Sequence, residues 1–205
     1  MKIIIFGASR GTGKQVMEQA LQAGHDVTIV VRRPIDIAHE RLKIVQGDVM
    51  KPSDFERAMT GQDIVISSLG VANREPTNLY SQGITNIINA MRAAKIRRLL
   101  CVSASGFDPG PLWQRVIAKP LLNYAFKYGY ADMQLMENIV RESGLDWTIM
   151  RPPRLTDEPR TGKYQISVNQ HLKTGWKISR ADLADYIVKY LNDPATYCTQ
   201  VEIAY

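Results

Sequence analysis

The chain is poor in the residues that build metal sites and disulfide frameworks. It has two cysteines and three histidines in 205 residues, and His25, His39 and His171 are as scattered as Cys101 and Cys198. No pair stands at metal-ligand spacing, which argues against a zinc site and against a disulfide scaffold. Cys101 falls inside an apolar run and reads as a buried, reduced thiol. No stretch approaches the roughly 18 apolar residues that span a bilayer. The sequence starts directly on a strand-like run without a basic, apolar, small-residue export pattern, so a cytoplasmic protein with no membrane partner is expected. Blocks of like charge are also lacking. The net charge of +6 comes from 26 Lys and Arg spread along the chain, which argues against a nucleic-acid partner and leaves an anionic cofactor or substrate to account for part of the excess. Repeats and linkers are absent, and the length with 45% hydrophobic content suits one well-buried domain over residues 1–205.

What is present is concentrated at the start. Residues 2–13, KIIIFGASRGTG, are an apolar run followed by glycines at 7, 11 and 13 and then by KQVMEQALQAG. That order predicts a strand, a tight turn and a helix with Val16, Ala20 and Leu21 on one face. Dinucleotides need this arrangement for a physical reason. Gly7 turns the chain sharply, Gly11 and Gly13 let backbone and helix approach, and a pyrophosphate meets unpaired N–H groups at the positive helix end.

The second strand, Val27 to Val31, ends at Arg32 and Arg33. NAD-selective folds carry an acid near this point to hold the ribose 2′-hydroxyl, whereas arginine accommodates the 2′-phosphate of NADP. The acid is missing, two arginines replace it, and Arg10 in the turn adds a third cation. Guanidinium forks suit a phosphate monoester, so NADP(H) is the expected cofactor.

Strands are then expected near Leu42 to Gln46, at Ile64 to Ser67, at Arg98 to Val102 and at Trp147 to Met150, with a short strand in GKYQISV and a closing one in TQVEIAY. Helices are expected from Ser53, capped in a box with Glu56; before Arg98, interrupted near its start by Gly83; up to Ser143; and from Ser179, in a box with Asp182 to which no chemistry is assigned. The alternation predicts an α/β fold with a doubly wound parallel sheet. Ligands of such sheets bind at the carboxyl ends of strands. Asp48 and Val49 lie there for the adenine, and Ser68, Leu69 and Gly70 for the ribose. Ser103 ends the fifth strand, either as a hydroxyl facing the nicotinamide or as a turn serine. Pro152 and Pro153 are expected to hold an extended rim loop as a lid on the nicotinamide side.

Residues 107–130 change in texture, with Pro109, Pro111 and Pro120 among Phe107, Trp113, Tyr124, Phe126, Tyr128 and Tyr130. This insertion follows Ser103. It reads equally as a wall of the substrate pocket and as a packed cap or oligomer interface.

The turn GASRGTG, the GDV at 47–49, the serine in VSASG and the stretch RESGLDWTIMRPPRLTDEPRTGKY resemble the atypical short-chain dehydrogenase/reductase superfamily. The likeness is to its NAD(P)H-binding, NmrA-like branch and, within that, to the biliverdin IX-beta reductases, also called flavin reductases. It covers nearly the whole chain. The resemblance implies that Gly7, Ser9, Arg10, Thr12 and Gly13 hold the pyrophosphate and neighbouring groups, Arg32 the 2′-phosphate, Asp48 and Val49 the adenine, and Leu69 and Gly70 the ribose region, with Ser103 at the active-site serine. Arg10 stands where this branch usually has glycine and where classical short-chain reductases read NADP. The catalytic Tyr-x-x-x-Lys pair of those reductases is missing, because Tyr124, Tyr128 and Tyr130 are followed four places on by Tyr128, Asp132 and Gln134. The flavin reductase pattern has a histidine on the helix before RESG, and Asp132-Met133 stand there. Two functions are therefore expected. One is NADPH-dependent hydride transfer to a planar flavin- or quinone-like acceptor, whose reduced form takes its proton from water. The other is a non-catalytic NADP(H) sensor of the NmrA-like type that acts on a protein partner.

Overall fold

The Ile and Phe run of Lys2–Phe6 forms β1, buried on both faces as a central parallel strand must be. Its side chains alternate. Ile3 and Ile5 join one apolar layer with Val16, Met17, Leu183 and Ile187, while Ile4 and Phe6 join the other with Phe55, Ile84, Ile87 and Met136. This period of two on a strand feeding two helical layers is the packing signature of a doubly wound sheet.

The computed structural model describes residues 1–71, 75–105, 119–172 and 174–205, with the backbone alone over 119–127. After β1 come α1 (Gly11–Gln22), β2 (Asp26–Val31), β3 (Leu42–Gln46), a 3₁₀ turn at Pro52–Asp54, α2 (Glu56–Met59), β4 (Ile64–Ser67), α3 (Leu79–Ala93) and β5 (Arg98–Val102). The second half holds α4 (Lys119–Arg141), β6 (Asp146–Arg151), β7 (Arg154–Thr156), β8 (Gln165–Val168), β9 (Lys177–Ser179), α5 (Arg180–Lys189) and β10 (Thr199–Ala204). Eight strands form one sheet in the order β3-β2-β1-β4-β5-β6-β10-β8, parallel except for β8 against β10. The strand order reverses between β1 and β4, which opens the ligand crevice of such folds at their carboxyl ends.

Several sequence expectations are corrected. Ser53 opens no α-helix. It lies in the 3₁₀ turn, and α2 starts at Glu56 after Phe55 with no side-chain cap. Phe55 is fully buried against Phe6, so core packing of that ring outweighs a local capping box. Gly83 does not interrupt α3. A Cβ there would approach Leu69 Cδ1 to 3.0 Å and Val49 Cγ1 to 3.3 Å, so the glycine lets the helix lie close under the rim loops. Ser179 caps α5 by accepting from the Asp182 N–H at 3.0 Å. The reciprocal half of the box is not formed, because Asp182 turns to Thr161, Gly162 and Tyr205. Finally, β7 pairs with β9 in a small parallel sheet that the sequence reading missed. Of the insertion expected at 107–130, residues 107–118 lie outside the described residues, and 119–130 belong to α4.

Candidate cofactor-binding and active site

The turn after β1 is forced to be glycine by its neighbours. Gly7 has φ +84°, and a Cβ on it would stand 2.2 Å from the Ser68 carbonyl oxygen at the end of β4. Gly13 would place a Cβ 2.3 Å from the Gly7 carbonyl. Three backbone segments thus press together at the switch point, and only hydrogen side chains fit between them. Gly11 has φ +60°, also in the left-handed region. Arg10, extended at φ −160°, is the N-cap of α1, but its side chain makes no capping bond, no other described side chain caps this helix, and no acidic residue occupies its first turn. The uncapped N–H groups at the positive end of α1, beside a cradle that any Cβ would fill, fit a diphosphate.

Ser9 and Arg10 are exposed in this turn and Thr12 is buried. Arg32 and Arg33 are exposed immediately after β2, the strand next to β1, so three guanidinium-bearing residues lie on loops at one rim. Asp48 sits at the end of β3 in a local turn, its Oδ1 accepting from the Met50 N–H at 3.0 Å and its own N–H donating to Asp54 Oδ2 at 3.0 Å. Val49 is buried, and its carbonyl accepts from Asn86 Nδ2 at 2.9 Å. Ser68 and Leu69 are half-buried, and Gly70 is exposed with open space around its Cα.

Ser103 lies just past β5, between the ends of β4 and β6. Its N–H donates to the Met150 carbonyl at 2.8 Å, while its hydroxyl is buried without a hydrogen-bond partner among the described residues. A buried polar atom left without a partner is costly and uncommon, and one at a ligand rim marks a place for an incoming group. Pro152 and Pro153 link β6 to β7. The Ser105 N–H donates to the Pro152 carbonyl at 2.8 Å, so the segment stays laddered to the neighbouring chain and runs straight into β7.

Asp132, at the position where the resemblance places a histidine, does structural work. Its carboxylate accepts from the Tyr80 N–H at 2.8 Å, from the Ser81 N–H at 3.4 Å and from the Ser81 hydroxyl. These are first-turn groups of α3, whose own N-cap Asn78 offers no side-chain bond. A carboxylate from α4 thereby caps α3. Burial pushes the Tyr80 phenol up, the Val71 N–H opposes this, and the Asp132 charge raises it further. Tyr80 therefore holds its proton at neutral pH.

Sequence reading missed two charged features here. Glu137 on α4 is buried and binds Arg151 at the end of β6, with Nε–Oε1 at 2.9 Å, and Arg141 at 2.6 Å. Nearby Cys101 is pushed up to about 12 by burial, with the Glu137 charge adding and the Ser67 hydroxyl opposing. The second is Arg180, whose Nε would lie 3.6 Å from a Cβ on Gly11 and whose Nη1 binds Asp157 at 2.7 Å. The spacing of ISRAD announced a helix start, and nothing in it announced a cation beside the glycine turn. Among the described residues no group of three His, Cys, Asp or Glu is placed to hold a metal ion, and no helix is long and apolar enough to cross a membrane.

A family model described as NAD(P)H-binding matches residues 7–194. The chain belongs to this NAD(P)H-binding family. A relative, the UPF0659 protein C216.03 of Schizosaccharomyces pombe, is 30% identical over 193 residues, covering 81% of this chain and 76% of that protein. Among solved structures, a Streptococcus pneumoniae TIGR4 protein provisionally named an NADH-flavin reductase superposes with a TM-score of 0.82 at 23% identity, over 100% of this chain and 99% of that one. A short-chain dehydrogenase/reductase of Veillonella parvula DSM 2008, crystallised with NADP, gives a TM-score of 0.83 at 20% identity over 100% of this chain and 94% of that one. At these identities the two structures establish a shared fold. In this chain, the glycine cradle and the start of α1 are the features that fit such a cofactor.

Proposed function

We propose that the protein is an NADPH-dependent reductase of a planar flavin- or quinone-like acceptor, within the NmrA-like, flavin-reductase branch of the short-chain reductases. The observation that carries this reading is the buried hydroxyl of Ser103, which has no hydrogen-bond partner among the described residues, at the rim between β4 and β6, beside a cradle built for a dinucleotide. Gly7, Gly11, Gly13 and the first-turn amides of α1, with Ser9 and Thr12, hold the pyrophosphate. Arg10, Arg32 and Arg33 take the 2′-phosphate, which makes NADPH the preferred cofactor. Asp48, with Val49 behind it, borders the adenine. Ser68, Leu69 and Gly70 border the ribose, and Pro152 and Pro153 flank the nicotinamide side.

When bound, the reduced nicotinamide supplies a hydride. Ser103 donates a hydrogen bond to a carbonyl or ring nitrogen of the acceptor and so orients it. The carboxylate of Asp132 is committed to the α3 amides and burial pushes the Tyr80 phenol up, so the site offers the acceptor no evident proton donor from these two groups. A flavin or quinone suits such a site because its reduced form is protonated by water, whereas reduction of an ordinary ketone calls for an acid. The Streptococcus pneumoniae structure, provisionally named an NADH-flavin reductase, supports the flavin acceptor and is neutral on the choice of NADPH.

The test is NADPH oxidation followed with FMN and with a small quinone. Ser103→Ala is expected to cut kcat/KM by about tenfold, the value of one lost hydrogen bond to a reacting group, while leaving NADPH affinity within about twofold. The committed Asp132 carboxylate also suits the second reading, a sensor that binds NADP(H) without turnover and acts on a partner. Tight binding with no oxidation across the acceptor panel, and a partner whose capture follows the cofactor's redox state, would favour the sensor.

A further inference from the structure

Arg180 is the first residue of α5, yet its side chain reaches across to the start of α1. A Cβ on Gly11 would lie 3.6 Å from Arg180 Nε and 3.7 Å from its Cδ, so the stem passes beside the glycine turn with room for about one methyl group between them. The guanidinium is held there by Asp157, with Nη1–Oδ1 at 2.7 Å. The two partners differ sharply in exposure, at 29% for the Arg180 side chain and 89% for Asp157. A pair whose carboxylate is hydrated is a weak one, easily exchanged for a better anion. The uncapped N–H groups of α1 concentrate positive potential at the same turn.

We infer that Arg180 is a positioning residue for the cofactor's pyrophosphate, held in readiness by Asp157 and transferred to the diphosphate oxygens on binding. This rests on the reading that the glycine turn holds a dinucleotide. It assigns Arg180 a task distinct from that of Arg10, Arg32 and Arg33. They discriminate the 2′-phosphate, whereas Arg180 meets the part common to NADPH and NADH. A planar fork can bridge two non-bridging oxygens of a diphosphate, and an ammonium cannot do so in the same fixed geometry. Gly11 itself is required by the backbone turn, at φ +60°, and a Cβ there would meet the Arg180 stem only at ordinary contact distance.

The test is binding of NADPH, NADH and ADP-ribose by fluorescence and calorimetric titration to the wild type, Arg180→Ala, Arg180→Lys and Asp157→Asn, with circular dichroism and melting to confirm folding. Arg180→Ala is expected to weaken all three ligands by the same factor, about tenfold. Arg180→Lys should recover part of the loss. Asp157→Asn should tighten all three by about threefold, and by less when Arg180 is already alanine. Unchanged affinity in a folded Arg180→Ala would overturn the assignment, as would a loss confined to NADPH, which would move Arg180 to the 2′-phosphate. A wild type that binds none of the three overturns both this inference and the cofactor reading, whereas binding by the wild type with no effect of Arg180 removes the inference alone.

Discussion

At the scale of single residues, the cofactor cradle is governed by missing atoms. Gly7 and Gly13 are legible from the sequence as part of a glycine triplet, but the reason for each is legible only in the fold, since the atoms that exclude a side chain belong to Ser68 and Gly7. Gly13→Ala is expected to lower stability by about 1–3 kcal/mol, the usual cost of forcing extra volume into a packed place, and to abolish NADPH binding because the Gly7 carbonyl must move. Thermal melting and fluorescence titration check both; a stable variant binding with native affinity would show that the glycine turn does not hold the cofactor. Ser103 is the converse case. Its place at a strand end is visible in VSASG, while the lack of a partner for its hydroxyl among the described residues depends on what β4 and β6 bring beside it. Asp132 is a residue whose role inverts between the two levels. The sequence marks it as the replacement for a histidine, and the structure gives it the amides of α3.

At the scale of elements, the bonds that seat α5 are long-range. The Asp182 carboxylate accepts from the Thr161 N–H at 2.9 Å, the Gly162 N–H at 2.7 Å, the Thr161 hydroxyl at 2.8 Å and the Tyr205 hydroxyl at 2.6 Å. It therefore ties the 161–162 turn and the last residue to the first turn of α5. Burial pushes this carboxyl up, but the donors from Tyr205, Gly162 and Thr161 outweigh burial and hold it below the ordinary 3.8. A folded-state value below the unfolded one stabilises the protein above the unfolded value, and that contribution fades as pH falls through the folded value. Asp182→Asn is expected to cost about 3 kcal/mol at pH 7, where it removes a buried ionised acceptor shared by four hydrogen bonds. The gap in melting temperature between wild type and variant should narrow below about pH 4. A gap of constant size from pH 7 to pH 3 would show that the ionised carboxylate contributes nothing. The sequence placed a capping box at these two residues because Ser-x-x-Asp is a local pattern. The carboxylate went elsewhere because four donors from three distant residues were within its reach.

At the scale of the whole molecule, the strand order places the β1 turn, the β2 arginines and the ends of β4, β5 and β6 along one rim. The net charge of +6 favours a polyanionic ligand there. Ligand binding to the folded state alone raises stability by mass action, about 2.7 kcal/mol at 100 times Kd. For a domain of this size that corresponds to a rise of roughly 5–10 °C in melting temperature. NADPH at that concentration is expected to give this rise, with NADH at equal concentration giving a smaller one because it lacks the phosphate that Arg10, Arg32 and Arg33 would meet. Equal shifts in a thermal melt would count against the arginine assignment.

The sequence by itself determined the layers of this protein, because periodicity and turn chemistry are local. The strands at Leu42–Gln46, Ile64–Ser67 and Arg98–Val102 follow from apolar runs between glycine, proline and polar breaks, and the α/β alternation makes the sheet parallel. It also determined the glycine turn and the arginines after β2. Tertiary structure alone decided the β7–β9 pairing, the continuous α3 through Gly83, the seating of Glu137 between Arg151 and Arg141, and the approach of Arg180 to Gly11. Each depends on atoms distant in sequence meeting at fixed distances, and charge compensation and close packing across such separations leave no periodic trace in the chain.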